Sequence, residues 1–322
     1  MLFSQRFLRY ALGTLWLIDG ILQVQPQMFT TNMINSVLLP TLDTQPGPVA
    51  ASLHMIILMI SQHLVFFNLL IAVVQAEIGL LLLTGLWVRG AVIISIVWAL
   101  IVWYGGEGMS MLLTGQASIL TGAPGAVLLY PLLGLLVYPR KAPSATGSAY
   151  LLSRERFRQV LAGFWIFAAL LQAQPFWWQR GQISGAIGAM AGMGKINSIL
   201  IDPILVPLAR FLEPLEVPLN SALVAIFLGL GIGLALVRSE RSHPLLVLSI
   251  LLSFLIWWCA QAFGMIFTGL ATDFNSGLLI ILMTLACWPK TQPMASAAQY
   301  NLAPSALTQP DQGGPLTETA LS

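Results

Sequence analysis

Between Leu8 and Pro289 the chain runs through one apolar stretch after another, with few charges inside any of them. Apolar runs of roughly 17 to 25 residues are long enough for a helix to cross the hydrocarbon core of a bilayer. Such runs lie at 8–25, 66–87, 90–105, 123–138, 158–174, 219–237, 244–262 and 274–289, which predicts about eight transmembrane helices in an all-α membrane bundle. The segment 49–86 is too long for one span, so its first part (49–64) is expected to be an interfacial helix. Only 8% of the 322 residues are charged and 57% are hydrophobic, where soluble domains carry about 25% charge. That balance excludes a water-soluble globular protein. With a net charge of +2 and no basic run, nucleic acid is excluded as a partner.

The charges also orient the chain, because cytoplasmic loops collect Lys and Arg. With the N-terminus inside, Arg6, Arg9, Arg89, Arg140, Lys141, Arg154, Arg156, Arg158, Arg238, Arg241 and Lys290 fall on the cytoplasmic side, eleven of fourteen. An even number of spans returns the C-terminus inside. The first apolar run carries Asp19 and lacks an A-x-A site, so it is expected to be retained rather than cleaved as a signal peptide. Residues 291–322 turn to Ser, Ala, Gln, Pro and Gly with no apolar period, the composition of a disordered cytoplasmic tail.

An internal duplication is the most specific pattern. The run from Leu15 to Pro26 (LWLIDGILQVQP) aligns with Phe164 to Pro175 (FWIFAALLQAQP), with Arg9 matching Arg158 at the same offset. Further pairs follow in order: Asn35-Ser36 with Asn197-Ser198, Asn68 and Gly79 with Asn220 and Gly231, Trp103 with Trp257, and Tyr138-Pro139 with Trp288-Pro289. The expected organisation is a first four-span repeat (1–141), a cytoplasmic linker (142–157), a second four-span repeat (158–290) and the tail (291–322). Four spans per copy make the repeats parallel, unlike inverted-repeat transporters. Each copy has an outer segment, 26–65 and 175–218, which the sequence leaves open as interfacial or re-entrant. Pro203, Pro207, Pro214 and Pro218 forbid one continuous helix in the second.

Where the copies differ, chemistry is suggested. Charged groups inside a bilayer are costly, so intramembrane carboxyls are functional candidates. Asp19 and Glu77 are two such groups, and their partners in the second copy are Ala168 and Gly229. Counted from Arg9 and Arg89 at 1.5 Å per residue, both acids lie roughly 15 to 18 Å from the cytoplasmic edge, so they are expected to meet at one level. Such a pair would hold a proton and suit proton relay or ligand binding; the alternative is that each acid bonds a neighbouring polar group. Trp16, Asp19, Gly20 and Gln23 share one helix face at i, i+3, i+4 and i+7. Glu107, after Gly105-Gly106 at the outer end of the third span, is a further site candidate, with Gln261 as its partner.

The remaining groups offer less. Cys259 and Cys287 lie in apolar stretches without C-x-x-C spacing and read as small core residues. Met55, Met59 and His63 repeat at i, i+4 and i+8, a face that could offer soft ligands to copper(I), although an interfacial apolar stripe explains the same spacing. Asp202, Glu213 and Glu216 read as solvated acids of the outer segment.

A four-span unit opening with Arg9-x6-Trp16-x3-Gly20 and closing with Gly85-Leu86-Trp87-Val88-Arg89 resembles the DoxX-like membrane proteins, here duplicated. The segment Trp103-Tyr104-Gly105-Gly106-Glu107-Gly108 to Thr114-Gly115, and its partner from Trp257 to Asp273, is also similar to a pattern in uncharacterised bacterial eight-span proteins. The resemblance spans most of residues 6–290. It implies a multi-pass subunit of the bacterial plasma membrane, linked in some DoxX-like members to quinone and sulfur-compound oxidation. It brings no catalytic residue to this chain, whose second half lacks both intramembrane acids.

Three functions follow as expectations. The leading one is a membrane subunit that binds a quinone or lipid-like ligand, or anchors a redox partner subunit at the outer face. A proton-coupled small-molecule transporter is the alternative, and a structural or assembly protein of the membrane is the third.

Overall fold

A computed structural model describes residues 4–139, 151–192 and 195–289, and every regular element among them is helical. These residues form one compact unit. Positions 142–150 of the expected linker and the tail 291–322 lie outside the described residues.

The first half opens with α1 (Gln5–Leu22), capped by Ser4, whose hydroxyl accepts the Phe7 N–H. Single helical turns follow Pro26, and then come α2 (Gly47–Gln62), α3 (Leu64–Thr84), α4 (Val88–Gly105) and α5 (Ala126–Val137). The second half opens with α6 (Arg154–Gln172), capped in the same way by Ser153 on Arg156 N–H. Its outer segment is broken into α7 (Gln182–Gly188), α8 (Lys195–Leu200) and α9 (Asp202–Leu212). Pro203 starts α9, Pro214 lies in the turn after it, and Pro218 falls in the first turn of the next helix, as the missing N–H of proline requires. That helix is α10 (Glu216–Leu236), followed by α11 (His243–Cys259) and α12 (Asn275–Ala286).

Two helix pairs make the most extensive contacts, α1 with α3 and α6 with α10. Glycine permits both approaches. A Cβ on Gly79 would come within 2.6 Å of Leu17 N and 2.8 Å of Gly13 O, and one on Gly231 within 2.8 Å of Ala162 O and Ile166 N. The short helices α5 and α12 pack against each other between these pairs, and each also touches the first helix of its own half. Leu129, Leu279, Ile280 and Met283 on them are fully buried.

Among the described residues, three helical segments are long and apolar enough to cross a membrane: Leu64–Thr84, Val88–Gly105 and the stretch Asp202–Leu236. At 12 residues each, α5 and α12 are about 18 Å long, well short of a hydrocarbon core of about 30 Å. The apolar runs that predicted spans at 123–138 and 274–289 therefore overstate the helices. Ala123, Pro124 and Gly125 are apolar loop residues, and Trp288 and Pro289 lie beyond the end of α12.

Candidate functional site

Polar side chains on α1 point into the first half. Trp16 and Asp19 are each 1% exposed and Gln23 is 4% exposed, as their shared face predicts. On α3 the inward positions are Asn68, Ala72, Gln75, Gly79 and Leu82, recurring at helical spacing. Glu77 is two residues past Gln75, about 200° further round the helix, and is exposed. The expected meeting of Asp19 with Glu77 is thus replaced by one between α1 and Gln75.

Trp16, Asp19, Gln23 and Gln75 line a largely apolar cavity of about 240 Å³, together with Trp98 and Val102 of α4, Tyr130 of α5 and the loop residues Glu107 and Asp273. Tyr130 Oη donates a 2.5 Å hydrogen bond to Asp19 Oδ2. The Tyr130 and Trp16 rings lie 4.4 Å apart between centroids. Five buried atoms of the lining residues, Trp16 Nε1, Asp19 Oδ1, Gln23 Oε1, Gln75 Oε1 and Trp98 Nε1, have no hydrogen-bond partner among the described residues. Buried polar atoms are paired in the great majority of cases, so five on the residues of one cavity single it out as the candidate site.

The second half supplies a contrast. Counting from the aligned pairs Asn68/Asn220 and Gly79/Gly231 puts Phe227 opposite Gln75, and Phe227 is fully buried with its ring 5.3 Å from Trp165. Trp165 Nε1 donates to Ser249 Oγ at 3.0 Å, and Ser249 shares a 2.8 Å hydrogen bond with Thr284. The corresponding positions of the first half are Trp16, Ser95 and Gly134, and there both the indole nitrogen and the Ser95 hydroxyl are unpartnered among the described residues. Ala168, at the place of Asp19, has no polar atom to satisfy. Trp165 is thus packed and hydrogen-bonded, whereas Trp16 lies beside the cavity with its indole nitrogen unpartnered among the described residues.

Glu107 stands beyond the end of α4. Its Oε1 accepts the Val127 N–H at 3.1 Å and its Oε2 accepts the Ser110 hydroxyl at 3.1 Å, so it caps α5. Gln261 does the same for α12, accepting the Gly277 N–H at 3.0 Å. Trp103 and Trp257 brace the two loops, each donating its indole N–H to a carbonyl just before the helix, Pro124 O at 2.7 Å and Phe274 O at 2.6 Å. Gly125 sits at φ +124° with Glu107 Oε2 where a Cβ would lie, so both conformation and space call for glycine.

Asp273 comes from the second half, between Thr272 and α12. It accepts the Asn275 N–H at 2.5 Å and the Thr272 hydroxyl at 3.0 Å. Burial raises both carboxyls above their ordinary range; for Glu107 the negative charge of Asp273 adds to burial and brings it to about 8. A second, more polar cavity of about 290 Å³ opens on the other side of these two acids, lined by Ser36, Thr41, Ser110, Thr121 and Asn275 among others. Glu107 and Asp273 border both cavities, and no Arg, Lys or His lines either.

The other candidates fall away from the site or change role. Met55 and Met59 are 65% and 47% exposed, Met59 at the rim of the apolar cavity, and α2 ends at Gln62, so His63 does not continue their face. No group of three His, Cys, Asp or Glu among the described residues could hold a metal ion. Cys259 and Cys287 are unbridged. Glu216 is no solvated acid: it is 1% exposed and accepts the N–H groups of Gly181, Gln182 and Ser184, at the start of α7.

Sequence reasoning missed Gln75, Trp98, Tyr130 and Asp273. The seven-residue spacing of Asn68 and Gln75 in an otherwise apolar run was the available sign for the first of these. No family model matches this chain, and no curated protein or solved structure is found to be similar to it.

Proposed function

We propose that this is an integral membrane protein of two parallel repeats, each crossing the bilayer four times with the buried loops before α5 and α12 completing the short fourth crossing, both termini cytoplasmic, and that its first repeat binds one amphipathic, lipid-soluble molecule of the quinone or lipid-like class. The observation that carries the reading is the set of five unpartnered buried polar atoms around one apolar cavity. A ring with polar substituents would meet indole N–H donors, amide and carboxyl oxygens and an apolar wall together. The membrane assignment is supported by the three long apolar helices and by the outward apolar side chains of α3, α4 and α10, such as Phe66, Ile101 and Ile232. The DoxX-like resemblance of Arg9, Trp16, Gly20 and the Gly85–Arg89 segment adds a redox context, in which the outer loops would dock a partner subunit.

Native mass spectrometry of the full chain released from mild detergent tests this reading. A lipid-soluble small molecule retained at one copy per chain, and lost when Gln75 is replaced by Phe, is the expected result. An equal adduct in the Gln75→Phe variant would place the molecule elsewhere.

A second reading, proton-coupled transport of a small solute, is favoured by one observation: Glu107 and Asp273 border both the apolar cavity and the polar one. Carboxyls at such a junction could pass protons between a bound solute and water. Proton flux into liposomes driven by a solute gradient is its test.

A further inference from the structure

We infer that the apolar cavity selects a lipophilic cation, an aromatic ring carrying an ammonium group, over an uncharged ring of the same shape, and that the cation displaces a proton from Asp19. This narrows the ligand to positively charged members of the lipid-like class, in place of a neutral quinone, and rests on the reading that the cavity binds a lipid-soluble molecule.

The charge of the lining comes first. The titratable groups around the cavity are Asp19 on α1, Tyr130 on α5, Glu107 after α4 and Asp273 before α12, and no Arg, Lys or His lines it. Glu77, the acid of α3, is exposed on another face. Every ionisable lining group can therefore become negative and none positive. Asp19 is 1% exposed, with one oxygen held by Tyr130 and Oδ1 unpartnered. A carboxyl so placed must be neutralised, either by its own proton or by a positive charge brought in from outside.

The walls suit the second choice. Trp16, Trp98, Tyr130 and Phe67 line the cavity, and aromatic faces in a desolvated site attract organic cations. Gln23 and Gln75 add two uncharged amides to the same lining. On one side the lining includes Met59, Leu70 and Ile101, which are 47%, 41% and 56% exposed, so an apolar molecule can enter past the outer surfaces of α2, α3 and α4. On the opposite side Glu107 and Asp273 border the polar cavity, a route by which the displaced proton reaches water. The exchange balances: one cation enters as one proton leaves the Asp19 carboxyl, and no bond other than O–H is broken.

The test uses the full chain in lipid nanodiscs, offered an equimolar mixture of benzyltrimethylammonium and its carbon isostere neopentylbenzene, with occupancy read by native mass spectrometry. Near neutral pH the cation should be favoured by about tenfold or more, the scale of a desolvated cation–π contact with a charge partner. As the pH is lowered the preference should shrink, because protons compete for the carboxyl. Asp19→Asn should bind the neutral ring and lose the preference, and Asp19→Ala, which copies residue 168, provides the same test if the amide disturbs folding. Equal occupancy by both probes in the unmodified protein, or a preference that survives both substitutions, would overturn the inference while leaving the binding reading intact. Binding of neither probe would overturn both.

Discussion

Tyr130 reaches Asp19 across 111 positions of chain, its hydroxyl donating at 2.5 Å to Oδ2 while Oδ1 of the same carboxyl is buried with no partner among the described residues. One oxygen is thus committed to the scaffold and the other is left without a bond. Replacing Tyr130 with Phe keeps the ring against Trp16 but removes the donor. Since an orphaned buried acceptor costs about 1–3 kcal/mol, Tyr130→Phe should lower the unfolding free energy by that amount. Thermal unfolding in one fixed detergent checks this; an unchanged midpoint would mean that the carboxyl has another partner.

Filling the cavity should do the opposite. Phe227 occupies the matching place in the second half and packs on Trp165. Gln75→Phe removes an unpartnered amide and adds apolar contact, so stability is expected to hold or rise while ligand retention falls by about tenfold or more. Parallel measurement of the melting temperature and the small-molecule adduct separates the two effects. A loss of both would mean that Gln75 braces the helices rather than facing a ligand.

The site was partly legible in the sequence, and the division has physical causes. Trp16, Asp19 and Gln23 could be read because they recur at helical spacing, and because the stretch of sequence that aligns with theirs carries Ala168 in place of the acid. Glu77 could not be placed, because α3 is apolar on all sides and its pattern does not say which face turns inward. Asn68 and Gln75 carried that information, as the polar residues that a buried face alone would need. Asp273 was beyond reach: it enters the cavity from the other half, through a tertiary contact that no local period records. The helix bounds of α5 and α12 were misjudged for a related reason. Apolar composition reports burial, and the loop Ala123-Pro124-Gly125 is apolar without being helical.

Close packing of α1 on α3 should tolerate no side chain at Gly79. A Cβ there meets Leu17 N at 2.6 Å and Gly13 O at 2.8 Å, both backbone atoms that cannot rotate away. Gly79→Val forces the helices apart, at a cost of about 1–3 kcal/mol or more, and should widen the cavity between them. Gly163, where a Cβ would meet nothing within 4 Å, is the control: Gly163→Ala should leave the melting temperature unchanged or raise it slightly. Equal effects at the two positions would contradict the helix contact.

The Glu107 carboxyl predicts how stability varies with pH. Burial, helped by the charge of Asp273, lifts it from 4.5 to about 8 in the folded protein. Between those values the folded state keeps a proton that the unfolded state has already released. Stability must then fall as pH rises from about 4.5 toward 8, with a slope of at most about 1.4 kcal/mol per pH unit, and less where water from the polar cavity screens the group. Glu107→Gln should reduce this slope to what Asp273 alone contributes and still cap α5, because Gln261 makes the matching bond to Gly277 N–H with an amide. Glu107→Ala should reduce the slope equally, but lose the bond to Val127 N–H and melt lower at every pH, by about 0.5–2 kcal/mol. Melting curves across this range for the three proteins distinguish the charge of Glu107 from its cap: an undiminished slope in Glu107→Gln would assign the titration to Asp273 instead.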